Sequence, residues 1–182
     1  MRKIVAGMLL SLDGVMEAPD KWHFPYFNDE MGTDIGAQMA ASDAMLLGRV
    51  TYQEFAAYWP EAPADDPFTA QMNDTPKYVI STTLGATEWK NSTLINRNIA
   101  EEITRLKQQP GKNISITGSA TLVRSLLRDN LLDELRLMVH PIVVGSGKRL
   151  FEHGGDPLPL KLVDSRTFST GVLSLIYAPA GT

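Results

Sequence analysis

Nine residues near the start, IVAGMLLSL at positions 4–12, form a continuous apolar run that the turn pair Asp13-Gly14 stops. A run of this length and continuity reads as a buried strand. Beyond it, short helical patterns alternate with further short strands through about two-thirds of the chain. Strands that take turns with helices specify an α/β fold with a largely parallel sheet.

The loop-like stretch APDKWHFPYFNDE leads to a helix expected near Asn28, with Asp29 and Glu30 suited to its positive end. Met31, Ile35 and Met39 give that helix one apolar stripe. Residues 44–47 read as a second strand and 51–58 as a short helix. WPEAPADDPF, with three prolines and three acids, reads as a surface loop. Residues 78–80 are a third strand. Asn98 and Glu101 suggest a capping box ahead of Ile99, Ile103 and Leu106, and Pro110-Gly111 ends that helix. Residues 114–116 are again a strand, followed by Gly118 and a helix carrying Leu122, Leu126 and Leu127. Residues 134–140 alternate as a half-buried strand does, and His140 before Pro141 marks its end. Residues 160–168 and 172–177 read as a closing hairpin, which adds antiparallel strands at one edge.

At 182 residues the chain fits a single domain spanning 1–182. A net charge of −4 gives no reason to expect nucleic acid or an anionic membrane as partner. Absence of cysteine excludes thiol catalysis, disulfides and cysteine-ligated zinc. His23, His140 and His153 show no metal-ligand spacing, so no metal site is expected. The first apolar run is too short to span a bilayer and shows no signal-peptide pattern, so a cytoplasmic location is expected.

Three strand ends stand out. Gly48 follows the second strand, Ser81-Thr82 the third, and Gly118-Ser119 the fourth. Ligands of open parallel sheets lie beyond the carboxyl ends of the strands, where the free N–H groups of the following helices attract phosphate. Arg49, Thr51, Ser81 and Thr121 add charge or hydroxyls there. Neither GxGxxG nor a Walker-type phosphate loop is present. Each junction also has a plain reading as turn chemistry, with Arg49 as a surface residue.

SLDG, LLGRVTY, YVISTTL and ITGSATLVRSLLRDNLLDELRLMVHPIVVGSGKRLF together resemble the dihydrofolate reductase-like superfamily. The last segment is most similar to the reductase domain of the riboflavin-pathway deaminase–reductase. The resemblance runs from Lys3 to Tyr177 and implies a three-layer α/β/α domain with a mixed, mostly parallel central sheet. It implies that NADPH lies across the three strand ends. Gly48, Arg49 and Thr51 then fall near the pyrophosphate, and Ser81 and Thr82 near the adenosine 2′-phosphate. Gly118, Ser119, Ala120 and Thr121 form the turn before the next helix. Thr82 stands where relatives carry arginine, which leaves NADH possible. Lys77 or Arg97 would then have to supply the missing charge. Val15 replaces a basic residue of the riboflavin reductases, and Thr117-Gly118-Ser119 replaces their Glu-Gly-Gly.

The same resemblance implies a small heterocyclic substrate of pterin or pyrimidine type, and the reductase step of riboflavin synthesis as the nearest activity. Asp34 is the nearest equivalent of the acid that dihydrofolate reductases carry on the helix before the GR-x-T strand; Asp29 and Glu30 compete with it, and an exposed helix position is its plain reading. Asp13 in SLDG and Asp65 in ADDP are candidate substrate contacts. Trp22, with His23, Phe24 and Tyr26, could stack on the heterocycle or pack on the domain. Met31, Met39 and Met45 read as core. A dihydrofolate reductase and a nucleotide-binding protein without catalysis are the alternative readings. The apolar strands around residues 131–147 and the terminal hairpin would leave a sheet edge open, so a homodimer is expected.

Overall fold

The structure is a computed structural model that describes residues 1–66, 68–152 and 154–181. Its strands are β1 (Ile4–Ser11), β2 (Ser42–Gly48), β3 (Lys77–Ile80), β4 (Ser92–Ile95), β5 (Asn113–Ile116), β6 (Glu134–His140), β7 (Leu160–Thr167) and β8 (Leu173–Pro179). The helices are α1 (Asp29–Ala40), α2 (Arg49–Tyr58), α3 (Thr69–Asp74), α4 (Ile99–Gln108) and α5 (Ala120–Arg128). All strands join one sheet in the order β4-β3-β2-β5-β1-β6-β8-β7. Pairing is parallel from β4 to β6, and β8 and β7 close the sheet antiparallel. This is the mixed, mostly parallel α/β architecture that the sequence implies.

The continuous apolar run owes its character to its place between β5 and β6. Ile4, Ala6, Met8 and Leu10 pack into one core with Ile103 and Leu106 of α4 and Leu122, Val123, Leu126 and Leu127 of α5. Val5, Gly7 and Leu9 turn to the other face. β2 divides in the same way. Ala44 and Leu46 join the first core. Met45 and Leu47 join a second, with Tyr52, Met72, Val79 and Trp89. A third cluster, Met31, Met138, Phe168 and Val172, seats α1 against the terminal hairpin.

Two elements, α3 and β4, lie where the sequence reading assigns none. Both are short, and side-chain bonds organise them. Asn73 donates to Trp59 O at 2.8 Å and accepts from Trp89 Nε1 at 2.7 Å. Asn98 corrects a second expectation. It lies in the left-handed region at φ 49° and makes no side-chain cap bond, so no capping box forms. Asn28, by contrast, caps α1 by accepting from Met31 N at 3.0 Å.

Lys77 is fully buried at the start of β3. Its ammonium donates to the carbonyls of Asn73 (3.0 Å), Thr75 (2.7 Å) and Lys90 (3.2 Å), and lies 4.1 Å from the Trp89 ring centre. Burial draws its pKa down to about 8. All three donors are therefore committed inside the fold, and Lys77 is unable to reach a ligand phosphate. Lys77→Met keeps the apolar stem but removes the donor shared by the Thr75 and Lys90 carbonyls and leaves that of Asn73 to Asn91 Nδ2 alone. We expect it to lower unfolding stability by about 2–4 kcal/mol. Urea titration measures this, and a loss below about 1 kcal/mol would show that the carbonyls find other partners.

Candidate functional site

A cavity of about 720 Å³ lies over the sheet face that α4 and α5 leave uncovered. Ile35, Gln38 and Met39 of α1 form one wall, and Thr51, Glu54 and Phe55 of α2 with Met72 of α3 form another. Its floor includes Val5, Gly7 and Leu9 of β1, Ser115 of β5 and Met138 of β6. At the carboxyl ends of the strands it is bounded by residues 117–121, 16–19 and 148–149. Met39 and Met45, expected in the core, also line it, while Met31 is core.

β3, β2 and β5 are neighbours, so the three strand ends singled out in the sequence come side by side. Two of them interlock. Gly48 has φ −78°, which any residue adopts, so conformation is not what requires glycine. Proximity is. A Cβ at Gly48 would collide with Ser119 Oγ and lie 2.9 Å from Ser119 Cβ. Gly118 does need positive φ, at 127°, and its missing side chain faces Thr51 at 3.2 Å. Ser119 caps α5 by accepting from Leu122 N at 3.3 Å, which leaves the amides of Ala120 and Thr121 without intrahelical partners. α2 begins beside it with no side-chain cap.

Thr51, Gly118, Ser119, Ala120 and Thr121 line the cavity, and Gly48 lies directly behind Ser119. Arg49 is exposed at the start of α2, bonded to Gln53 Oε1 at 3.2 Å. Ser81 is buried, and its hydroxyl accepts from the amides of Thr83 (3.2 Å) and Leu84 (3.0 Å) to shape the turn after β3. Thr82 is exposed, and neither residue lines the cavity.

The family model described as the RibD C-terminal domain matches residues 2–174. YyaP of Bacillus subtilis (strain 168) is 34% identical over 183 residues, which cover 97% of this chain and 94% of that protein. YwjB of the same organism is 29% identical, covering 94% and 95%. The chain belongs to the RibD C-terminal domain family. Solved structures agree on the fold. A Shewanella sp. PV-4 protein assigned to riboflavin biosynthesis superposes with a TM-score of 0.79 at 20% identity, over 98% of this chain and 99% of that one. The Thermotoga maritima deaminase/5-amino-6-(5-phosphoribosylamino)uracil reductase gives 0.68 at 13% identity, over 98% of this chain and 57% of that longer one.

In this RibD-type domain the catalytic and substrate candidates Asp13, Asp34, Asp65 and Trp22 also stand outside the cavity lining. Asp13 is a clamp. Its carboxylate accepts from Ser11 Oγ (2.6 Å), Val144 N (3.0 Å) and Gly145 N (2.9 Å), and Arg149 Nε donates to its carbonyl at 3.0 Å. The bond from Ser11 and those from the loop amides hold its pKa far below the ordinary carboxylate range. SLDG therefore fastens the GSGKR loop to the end of β1, and Val15 bridges Arg149 beside it. Asp65 is exposed in the loop before α3; Pro67 of the same ADDP segment lies outside the described residues, as does His153. Asp34 is neither exposed nor in the cavity. It is buried, paired with Arg166 of β7, and accepts from Ser174 Oγ of β8 at 3.3 Å and Gln38 Nε2 at 3.4 Å. The carboxylates that do line the cavity, among the described residues, are Glu17, Glu54 and Glu152, all exposed.

In the aromatic loop Trp22 and His23 pack on the domain, while Phe24 is exposed. Trp22 is buried, donates from Nε1 to Glu17 O at 3.1 Å and meets the His140 ring edge-on at 5.2 Å. His23 lies 6.0 Å from His140. His140 Nδ1 lies 3.0 Å from the carbonyls of both Leu10 and Met138, so it carries the proton. Among the described residues, His140 Nε2 and His23 Nδ1 are buried without a partner. Burial pushes both pKa values below 6.5, and for His23 the neighbouring His140 adds to it. Among the described residues no group of three or more metal-binding side chains assembles.

The unfolded chain takes up protons on these histidines as pH falls through about 6.5, while the folded chain resists them. Stability should therefore be level above that pH and fall below it. Urea midpoints at steps between neutral pH and the high fives should show the decline, and His23→Leu should flatten it. A midpoint that rises on acidification would contradict the buried neutral pair.

Proposed function

We propose that this protein is a nicotinamide-dependent reductase of a flat pterin- or pyrimidine-like heterocycle. It resembles the 5-amino-6-(5-phosphoribosylamino)uracil reductases, with NADPH as cofactor and NADH possible. The observation that carries the reading is the pair of interlocked strand-to-helix turns at the cavity rim. Two helix N-termini side by side, with glycines where side chains would collide, suit a diphosphate that must approach the backbone closely. The chain's residues fit that group. Amides of Ala120 and Thr121, the first turn of α2, Thr51 and Arg49 would hold the phosphates. The cofactor supplies a hydride, and the cavity orients the acceptor ring and keeps water from it. Ser81 and Thr82 shape the neighbouring turn, where Arg97, exposed just beyond β4, is the cation left once Lys77 is committed to the core.

Trp59 lines the cavity, so intrinsic fluorescence can report binding there. NADPH should quench it saturably, and NADPH should be consumed with a substrate from a panel of dihydropteridines and aminouracils. Arg49→Ala should weaken NADPH by about 1.5–3 kcal/mol with melting unchanged. Unchanged affinity would remove Arg49 from the site, and no binding of either cofactor would overturn the reductase reading.

A second copy of the chain is the partner we propose for the hairpin. β7 forms the sheet edge, with Leu162 49% and Val163 58% exposed. An open edge with apolar side chains invites symmetric pairing. Light scattering at micromolar concentration should give twice the 20.0 kDa chain mass; the monomer mass throughout would refute it.

A further inference from the structure

The cavity floor holds one polar arrangement that the cofactor reading does not use. Gly7 sits in the middle of β1, between β5 and β6. A Cβ there would lie 2.8 Å from Gln38 Oε1. Glycine inside a strand marks a close approach, and here the visitor is a carboxamide reaching down from α1. Gln38 is not free to turn over. Its Nε2 faces Asp34 Oδ2 at 3.4 Å, and Asp34 is itself held by Arg166 and Ser174. An ionised carboxylate only accepts, so the nitrogen must point to Asp34 and the oxygen to the cavity floor.

That oxygen has no donor among the described residues; Val5, Leu9, Ile35, Met39 and Met138 make much of the floor apolar, with Ser115 beside Val5 and Arg136 opposite Gly7 as its polar members. Half-buried and turned to the cavity, the oxygen is available to a ligand N–H or O–H, which would enclose it. Charge on the floor is already neutralised. Arg136 lines this part of the cavity, but its guanidinium donates twice to Glu134 Oε2, at 3.2 and 2.9 Å. The other cations at the cavity, Arg124, Lys148 and Arg149, belong to α5 and the loop at the strand ends.

We propose that Gln38 is the specificity-determining residue for the substrate ring: the floor takes a flat, uncharged heterocycle and reads one of its ring N–H groups with Gln38 Oε1. This rests on the reading of the cavity as a reductase site and names the ring chemistry it selects. Asp34 is then a positioning residue, which acts by fixing the carboxamide.

The test uses a pteridine-2,4-dione and a uracil, each beside its fully N-methylated counterpart. Binding is followed by tryptophan fluorescence and calorimetry, with and without NADPH. In the wild type the N–H forms should bind about tenfold or more tighter than the methylated ones, as expected when a buried acceptor loses its donor. Gln38→Leu should bring the two forms within about twofold while NADPH affinity stays unchanged. Should Gln38→Leu fold poorly, Gln38→Met answers the same question, with NADPH binding as the report on folding. Wild-type protein that binds both forms equally, a preference that survives the substitution, or rings that fail to bind while NADPH binds would each overturn the role of Gln38. Loss of NADPH binding in the wild type would instead strike the reductase reading itself.

Discussion

β2 and β5 run parallel and adjacent, and each must turn into a helix at its carboxyl end. Those turns compete for one space. Gly48 and Gly118 resolve the conflict from opposite sides: Ser119 occupies the volume a side chain at Gly48 would need, and Thr51 stands against Gly118. With the turns in contact, α2 and α5 present their first amides at one point on the rim of the cavity. A larger residue at either glycine would separate the helix ends before it touched any ligand. The site therefore depends on backbone proximity first and on side-chain chemistry second.

The carboxylates show how far a sequence can mislead about chemistry. Asp13 and Asp34 look like site residues because they lie beside motifs, yet both hold parts of the fold together. Asp34 lies three residues after Met31, so helical geometry puts it on the same face. That face meets Phe168 and Val172 of the hairpin region, where Arg166 provides its partner. Ile35, Gln38 and Met39 occupy the face that lines the cavity. The stripe Met31, Ile35, Met39 was legible as apolar, but one stripe serves two destinations, and only the tertiary arrangement divides it.

Long-period features were legible for the same reason that these were not. β1, β2 and β6, the hairpin and the helices α1, α4 and α5 carry apolar patterns sustained over several residues, and each pattern reports burial directly. The strand-end glycines were legible as turns, and family resemblance assigned them to one ligand. β4 is four residues long, like β3 and β5 but with no Ser-Thr or Gly-Ser turn after it to mark its end, and α3 is six, under two turns. They exist because Asn73 and Lys77 satisfy carbonyls and an indole across the sequence, which no local pattern announces. Asn98 shows the reverse error. Its spacing to Glu101 is that of a capping box, but a left-handed backbone turns its side chain to another use of asparagine, tolerance of positive φ.

Gly7 joins these threads. In a run that is otherwise mostly apolar and buried, a glycine weakens the strand and contributes nothing to the α4–α5 core, because its position faces away from it. Its place on the cavity side gives it a reason. The missing side chain makes room for Gln38, and Gln38 is kept there by Asp34, which is kept in turn by the hairpin. Burial on one face of β1 stabilises the domain, whereas the other face is left partly unfilled and carries the fixed carboxamide of Gln38. The same nine residues that dictate the fold thus also set the floor on which a ligand would rest.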